Sequence, residues 1–302
     1  MGKYAWGMAA MLFWGAAPVV LKSLVAWLPG SLLMTVVYAL AACVTLPWLV
    51  GAVRRGGVAW RTWLEVAGVG LMLTSCFNLL AAMAAHAVSG TTLGAVVAME
   101  PLMVAILSAL LARRWLPWHT SVALAVSLLG AWLLVMAPSA MPDAGNEAWA
   151  VGLVVLGALA WSAAVVWSAR IRTAWPPLQT SMIMICCGSL PFLAAFPFML
   201  AQVESWPVLP AAAYGGIAFM ALGATVAANL LWLRSLRELG PLANSLLINV
   251  GPLFTFVLSA TWLGEPWGGR QTLGALCIVL GLSFGAWYQD GRLRGGRRQQ
   301  AC

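Results

Sequence analysis

Apolar runs long enough to cross a bilayer as a helix, which takes about 20 residues, recur along almost the whole chain. They fall at Tyr4–Leu21, Ser31–Val53, Leu64–Ala87, Thr91–Ala112, Trp118–Met136, Trp149–Ser168, Leu178–Ala201, Ala211–Leu233, Pro241–Leu263 and Thr272–Tyr288. Strands of a membrane barrel would be about half as long and would alternate polar with apolar residues, so these runs must be helices. Ten such helices use most of the 302 residues and leave only short connections, with no room for a soluble catalytic domain. Composition agrees: 8% of residues are charged, whereas a soluble domain carries about 25%. A soluble enzyme, a secreted disulfide scaffold and a disordered chain are all excluded, and the lipid bilayer is the partner this composition requires.

The net charge of +8 would suggest a nucleic-acid partner in a soluble protein, but in a membrane protein the position of each charge matters more. With the N-terminus in the cytoplasm, all of the 16 Lys and Arg residues except Lys22 and Arg270 lie on the inner side. That bias predicts a multi-pass protein of the cell inner membrane with both termini cytoplasmic, and no nucleic-acid partner.

The chain also repeats itself. An offset of 151 residues aligns Asn78-Leu79-Leu80 with Asn229-Leu230-Leu231, Pro101-Leu102 with Pro252-Leu253, and Gly130 with Gly281. Near the start of each half the offset shortens, so that Trp14 meets Trp161 and Trp27-Leu28-Pro29 meets Trp175-Pro176-Pro177. Each half then holds five helices, and an odd number forces the second copy to run through the membrane upside down. The expected organisation is a first repeat over residues 1–139, a second over 147–289 and a basic cytoplasmic tail over 290–302. The first run follows Lys3 and has the small residues of a signal peptide, but its counterpart in mid-chain argues against cleavage.

A tryptophan in the first helix of each half (Trp14, Trp161), a proline in the middle of the fourth (Pro101, Pro252), the late glycines Gly130 and Gly281, and Leu263-Gly264-Glu265 after the ninth helix together resemble the drug/metabolite transporter superfamily, in its EamA type. The resemblance covers essentially the whole chain. It implies an all-α integral membrane protein of ten transmembrane helices, with helices one, three, four, six, eight and nine around a central cavity. It also implies alternating access and export of amino acids or related metabolites. The sequence departs from a strict repeat where Arg113-Arg114 occupy the place of Gly264-Glu265, so Glu265 reads as a loop residue rather than a repeated functional element.

Glu100 is the acid that does not lie in a loop or near a helix end. It is about ten residues into its run, near the membrane midplane at 1.5 Å per residue. An ionisable group there costs at least about 2.5 kcal/mol, so it should face the protein interior or a wet cavity. Either it is hydrogen-bonded to a neighbouring helix, or it binds a cationic or zwitterionic substrate and exchanges a proton for it. Pro101 and Pro252 supply no N–H to Val97 and Ile248, so their helices are expected to kink; the freed carbonyls either serve packing or accept hydrogen bonds from a substrate. Asn78, Asn229 and Asn249 should avoid lipid and act as interhelical hydrogen-bond partners or as cavity groups. Trp14 and Trp161 lie well inside their spans, as packing residues or as cavity walls able to face a cation. Trp48, Trp60, Trp63, Trp115, Trp118 and Trp149 read as interfacial belts.

The six cysteines form no CxxC pair and lie near neither His86 nor His119, so no metal site and no cofactor is expected. Gly281-Leu282-Ser283-Phe284-Gly285 matches the GxSxG nucleophile pattern. It falls inside a helix without a placed Asp or His, and reads as a small-residue packing face. No lysine or arginine lies deep in a span, which argues against a phosphate-bearing substrate. The leading expectation is therefore not an enzyme but a secondary-active exporter of a small amino-acid-like or amphipathic metabolite. The alternative is an integral-membrane enzyme acting on a lipid or small amphiphile, which would need more than one deep catalytic side chain.

Overall fold

The computed structural model describes residues 2–84, 87, 96, 97, 99–113, 115–135, 148–201, 208–262, 264 and 268–299. All regular structure among them is helical. In chain order the helices are α1 (Gly2–Leu24), α2 (Gly30–Arg55), and α3, which runs from Trp60–Leu71 through a π-helical stretch Met72–Cys76 into Phe77–Ala84. They continue with α4 (Glu100–Ala112), α5 (Trp118–Val135), α6 (Ala148–Ser168), α7 (Pro177–Ala201) and α8 (Ala211–Leu239), the last with a π-helical middle at Phe219–Ala227. The ninth, α9, is Pro241–Ser245, a 3-10 turn Leu246–Asn249 and Val250–Trp262, and α10 is Gly269–Gln299.

Among the described residues, seven helices are long and apolar enough to cross a membrane: α1 to α3 and α6 to α9. Two shorter apolar helices, Glu100–Ala112 and Trp118–Leu133, belong to the fourth and fifth runs. Residues 91–95 and 98 of the fourth run, and His86 near the end of the third, lie outside the described residues. Apolar side chains at the surface, such as Trp60, Trp115, Trp118 and Trp262, stand where helices end, as expected of aromatic belts.

Pro101 and Pro252 stand where the helical hydrogen-bonding pattern changes. Pro101 is in the first turn of α4, preceded by Met99 in a turn whose N–H reaches the Val96 carbonyl at 3.0 Å. Pro252 likewise stands in the first turn of Val250–Trp262, just after the 3-10 segment. A residue without an N–H is tolerated best where that N–H would have no regular α-helical partner, and the 3-10 turn before Pro252 supplies such a place inside a span that runs from Ala243 to Trp262.

Helix pairing follows the repeat. α1 packs on α8 and α9, and α6 on α3 and α4; α3 packs on α7, and α2 on α8; α2 pairs with α7, and α5 with α10. Exchanging the two halves maps this pattern onto itself. The small residues show why: a Cβ built on Gly130 would fall 2.5 Å from the Gly274 carbonyl and 2.8 Å from the Ile278 nitrogen. One on Gly281 would fall 2.8 Å from the Ala123 carbonyl and 2.9 Å from the Ser127 nitrogen. Gly274 and Ile278 are the 151-residue counterparts of Ala123 and Ser127. The two glycines thus let α5 and α10 cross at backbone contact, and the GxSxG segment is a packing face.

Candidate functional site

The largest apolar core cluster joins the two halves, bringing Val104 of α4, Trp161 of α6, Trp232 of α8 and Val250 of α9 together, with Trp14 of α1 packed against it. Trp232 is fully buried and stands between the two repeat-related tryptophans, its ring centre 5.4 Å from Trp14 and 6.1 Å from Trp161. The Trp14 indole N–H donates to the Ala224 carbonyl at 2.9 Å, pinning α1 to the π-helical stretch of α8. With Trp161 only 9% exposed, these rings pack on one another in this conformation.

Asn78 and Asn229 occupy matching places immediately after the π-helical stretches. The Asn78 amide donates to the Thr74 carbonyl at 2.6 Å, and the Asn229 amide to the Thr225 carbonyl at 2.7 Å. Thr74 and Thr225 are themselves related by the 151-residue offset. A widened π turn leaves carbonyls poorly satisfied, and in each half an asparagine four residues on supplies the donor. Both amides thus bond within their own helices. The Asn78 side chain also meets the Tyr38 hydroxyl of α2. Replacing Asn229 by alanine removes a hydrogen bond of about 0.5–1.5 kcal/mol at a helix distortion of the kind frequent at functional sites. We expect transport rate to fall well beyond any loss of folded protein, when both are measured on the same purified samples.

Asn249 does join helices. It is 1% exposed, and its amide donates to Ser127 Oγ of α5 at 2.8 Å. Its Oδ1 atom is buried with no hydrogen-bond partner, as are Ser162 Oγ and Trp232 Nε1. Glu100 is 5% exposed, and its carboxyl makes no hydrogen bond or ion pair with any described residue. It opens the thirteen-residue stretch Glu100–Ala112, whose twelve steps rise about 18 Å. It also sits in the first turn of α4, where the helix dipole favours negative charge. Most buried polar atoms in folded proteins are paired; among the described residues the exceptions also include Ser108 Oγ, Gln179 Nε2, Ser189 Oγ and Asn244 Nδ2, so they are spread along the chain.

Trp232 is the centre of the aromatic trio, and sequence reasoning missed Ser127 and Ser162. A cleft of about 400 Å³ opens further along, between the C-terminal ends of α4 and α6 and the start of α9, lined by Ser108, Trp115, Arg170 and Pro241 among others. Cys186 and Cys187 are buried as expected of small apolar residues, whereas Cys43 is exposed. Among the described residues no group of three or more His, Cys, Asp or Glu side chains is placed to hold a metal ion.

Two halves of like helices, packed through glycines and meeting at an apolar core, make an all-helical repeat architecture with helices long and apolar enough to cross a membrane. The sequence profile of the EamA-like transporter family matches residues 1–136 and again 148–285, and the chain belongs to that family. Among its relatives in Bacillus subtilis, the uncharacterized transporter YetK is 22% identical over 290 residues, covering 93% of this chain and 86% of that one. A second, the uncharacterized transporter YyaM, is 28% identical over 130 residues, so the match spans less than half of either protein: 43% of this chain and 42% of YyaM. A solved crystal structure superposes with a TM-score of 0.75 over 97% of this chain and 98% of its own, at 18% identity, a likeness of fold.

Proposed function

We propose that this protein is a secondary-active exporter of a small zwitterionic or cationic metabolite, amino-acid-like or otherwise amphipathic, working by alternating access and coupled to protons. In this reading ten spans form two inverted five-helix repeats in the cell inner membrane, with both termini cytoplasmic. The substrate passes between the halves, where α1, α3, α4, α6, α8 and α9 converge. The observation that carries the proposal is Glu100: a buried acid with no hydrogen bond or ion pair among the described residues, placed in the first turn of α4.

Broken helices whose ends point at the transported species are a recurrent device of secondary transporters. A carboxylate at the head of α4 attracts an ammonium group, and the Asn249 carbonyl oxygen accepts from an N–H; the Trp232 N–H and the Ser162 hydroxyl offer donors to a carboxylate or carbonyl. When the substrate leaves, a proton takes its place on Glu100, so a cation and a proton alternate at one site. Lipid chemistry would instead need at least two catalytic groups converging at one depth, and Glu100 is the single acid there.

Counterflow in proteoliposomes tests the carrier reading. Vesicles preloaded with a mixture of unlabelled amino acids and polyamines should transiently accumulate labelled members of that mixture, with saturable initial rates. Chemical conversion of the label would instead establish an enzyme, and flux without saturation or exchange would establish a channel.

A further inference from the structure

The two halves are alike in pairing, but at one pair of equivalent crossings they differ in chemistry. At the α1–α9 crossing, a Cβ on Gly15 would lie 2.7 Å from the Gly251 carbonyl and 2.6 Å from Phe254 Cβ. The Thr255 hydroxyl donates to the Gly15 carbonyl at 2.8 Å, so this crossing is closed at backbone contact. Its counterpart is the α4–α6 crossing. The offset that takes Trp14 to Trp161 takes Gly15 to Ser162 and Met11 to Ala158, and the 151-residue offset takes Gly251 back to Glu100. Two glycines in one half are therefore a serine and a glutamate in the other.

The register of α4 against α6 agrees. Ser108, Ala109 and Ala112 share the cleft with Val166, Ala169 and Arg170, so stepping back one turn on both helices sets Ser162 beside residues 101–105. Met103 packs on the cluster that contains Ala158. A Cβ on Gly251 would have Met11 Sδ as its nearest neighbour, at 3.9 Å. The same direction at Glu100 leads to Ala158, whose methyl leaves space where Met11 fills it. Ser162 is fully buried and its hydroxyl has no partner; the Glu100 carboxyl has none among the described residues either. The facing helices add no other titratable group, since neither Ala148–Ser168 nor Pro241–Trp262 carries one.

We infer that Ser162 is a positioning residue for Glu100, taking its carboxyl by hydrogen bond when α4 and α6 rearrange, and that of the two equivalent crossings α4–α6 is the one that moves. The inference rests on the proposed transport role of Glu100, because a purely structural acid would already hold its partner. Neither group holds a hydrogen bond to a described residue, the repeat correspondence sets both at the α4–α6 crossing, and a buried hydroxyl and carboxyl are strongly driven to pair once geometry allows.

Infrared difference spectroscopy on the full-length protein in liposomes, titrated with acid and base, reads this directly. The carboxyl C=O band that disappears in Glu100→Gln identifies Glu100. The wild type should show that band in a free and a hydrogen-bonded component. Ser162→Ala should lose the hydrogen-bonded component and shift the band to higher frequency, and Ser162→Thr should restore it. If Ser162→Ala does not reach the membrane, Ser162→Cys, a weaker donor, should give an intermediate shift. A Glu100 band unchanged in Ser162→Ala or Ser162→Cys overturns the pairing. If instead the band behaves as expected while Glu100→Gln exports normally, the pairing stands and the coupling role of Glu100 falls.

Discussion

Replacing Gly70 by valine should leave almost no folded protein. A Cβ on Gly70 runs into the backbone of Met184 on α7, and one on Gly188 of α7 runs into the Gly70 carbonyl and lies 2.7 Å from Thr74 Cβ. α3 and α7 thus cross at reciprocal glycines, and the Ser75 hydroxyl adds a hydrogen bond to the Gly188 carbonyl at the same point. Overpacking a core usually costs about 1–3 kcal/mol, most of it relieved by side-chain shifts; here the obstacle is backbone, which no rotamer change removes. The crossing also joins the first half to the second, so the cost falls on assembly of the halves. Gly68 lies on the same helix with nothing within 4 Å of its Cβ position. Gly68→Ala should fold as well as wild type or gain up to about 1 kcal/mol from better helix propensity. Size-exclusion profiles and thermal unfolding in detergent, run on both variants beside wild type, check this. A monodisperse, wild-type-stable Gly70→Val protein would contradict the packing described.

Most of the architecture was legible because the bilayer imposes it. The helices come from runs that cannot leave backbone groups unsatisfied in lipid, and the pairing of Gly130 with Gly281 follows from an offset visible in the residues. What stayed hidden depends on how neighbours meet. A proline announces a disruption, but whether a helix bends or restarts depends on what satisfies the turn before it; for Pro101 that is the Met99 N–H bonding to the Val96 carbonyl. The asparagines were recognisable as polar groups in apolar runs, yet Asn78 and Asn229 donate to carbonyls of the π-helical stretches, which the sequence alone did not announce. A threonine followed four residues later by asparagine in both halves was a readable signal of that arrangement. Trp232 has no aromatic counterpart in the first half, where Ala81 holds its place. The repeat therefore gave no hint that it would sit between Trp14 and Trp161. Glu100 was legible by its place in an apolar run alone, while Ser162 drew notice only when the two crossings could be compared.

The claim at the centre of this account is that one buried carboxyl links substrate movement to protons. Glu100→Gln keeps the shape of the side chain and removes its titration, so the variant should fold. The decisive comparison is export of the labelled counterflow substrate from proteoliposomes across an imposed pH gradient, wild type beside Glu100→Gln, with and without a protonophore. The account predicts that wild-type export is driven by the gradient and collapses with the protonophore. Glu100→Gln should export no faster with the gradient than without it, whatever exchange it retains. Equal gradient-driven export by the two proteins would contradict coupling at Glu100, and gradient-independent export by the wild type would leave only movement of the metabolite down its own concentration difference.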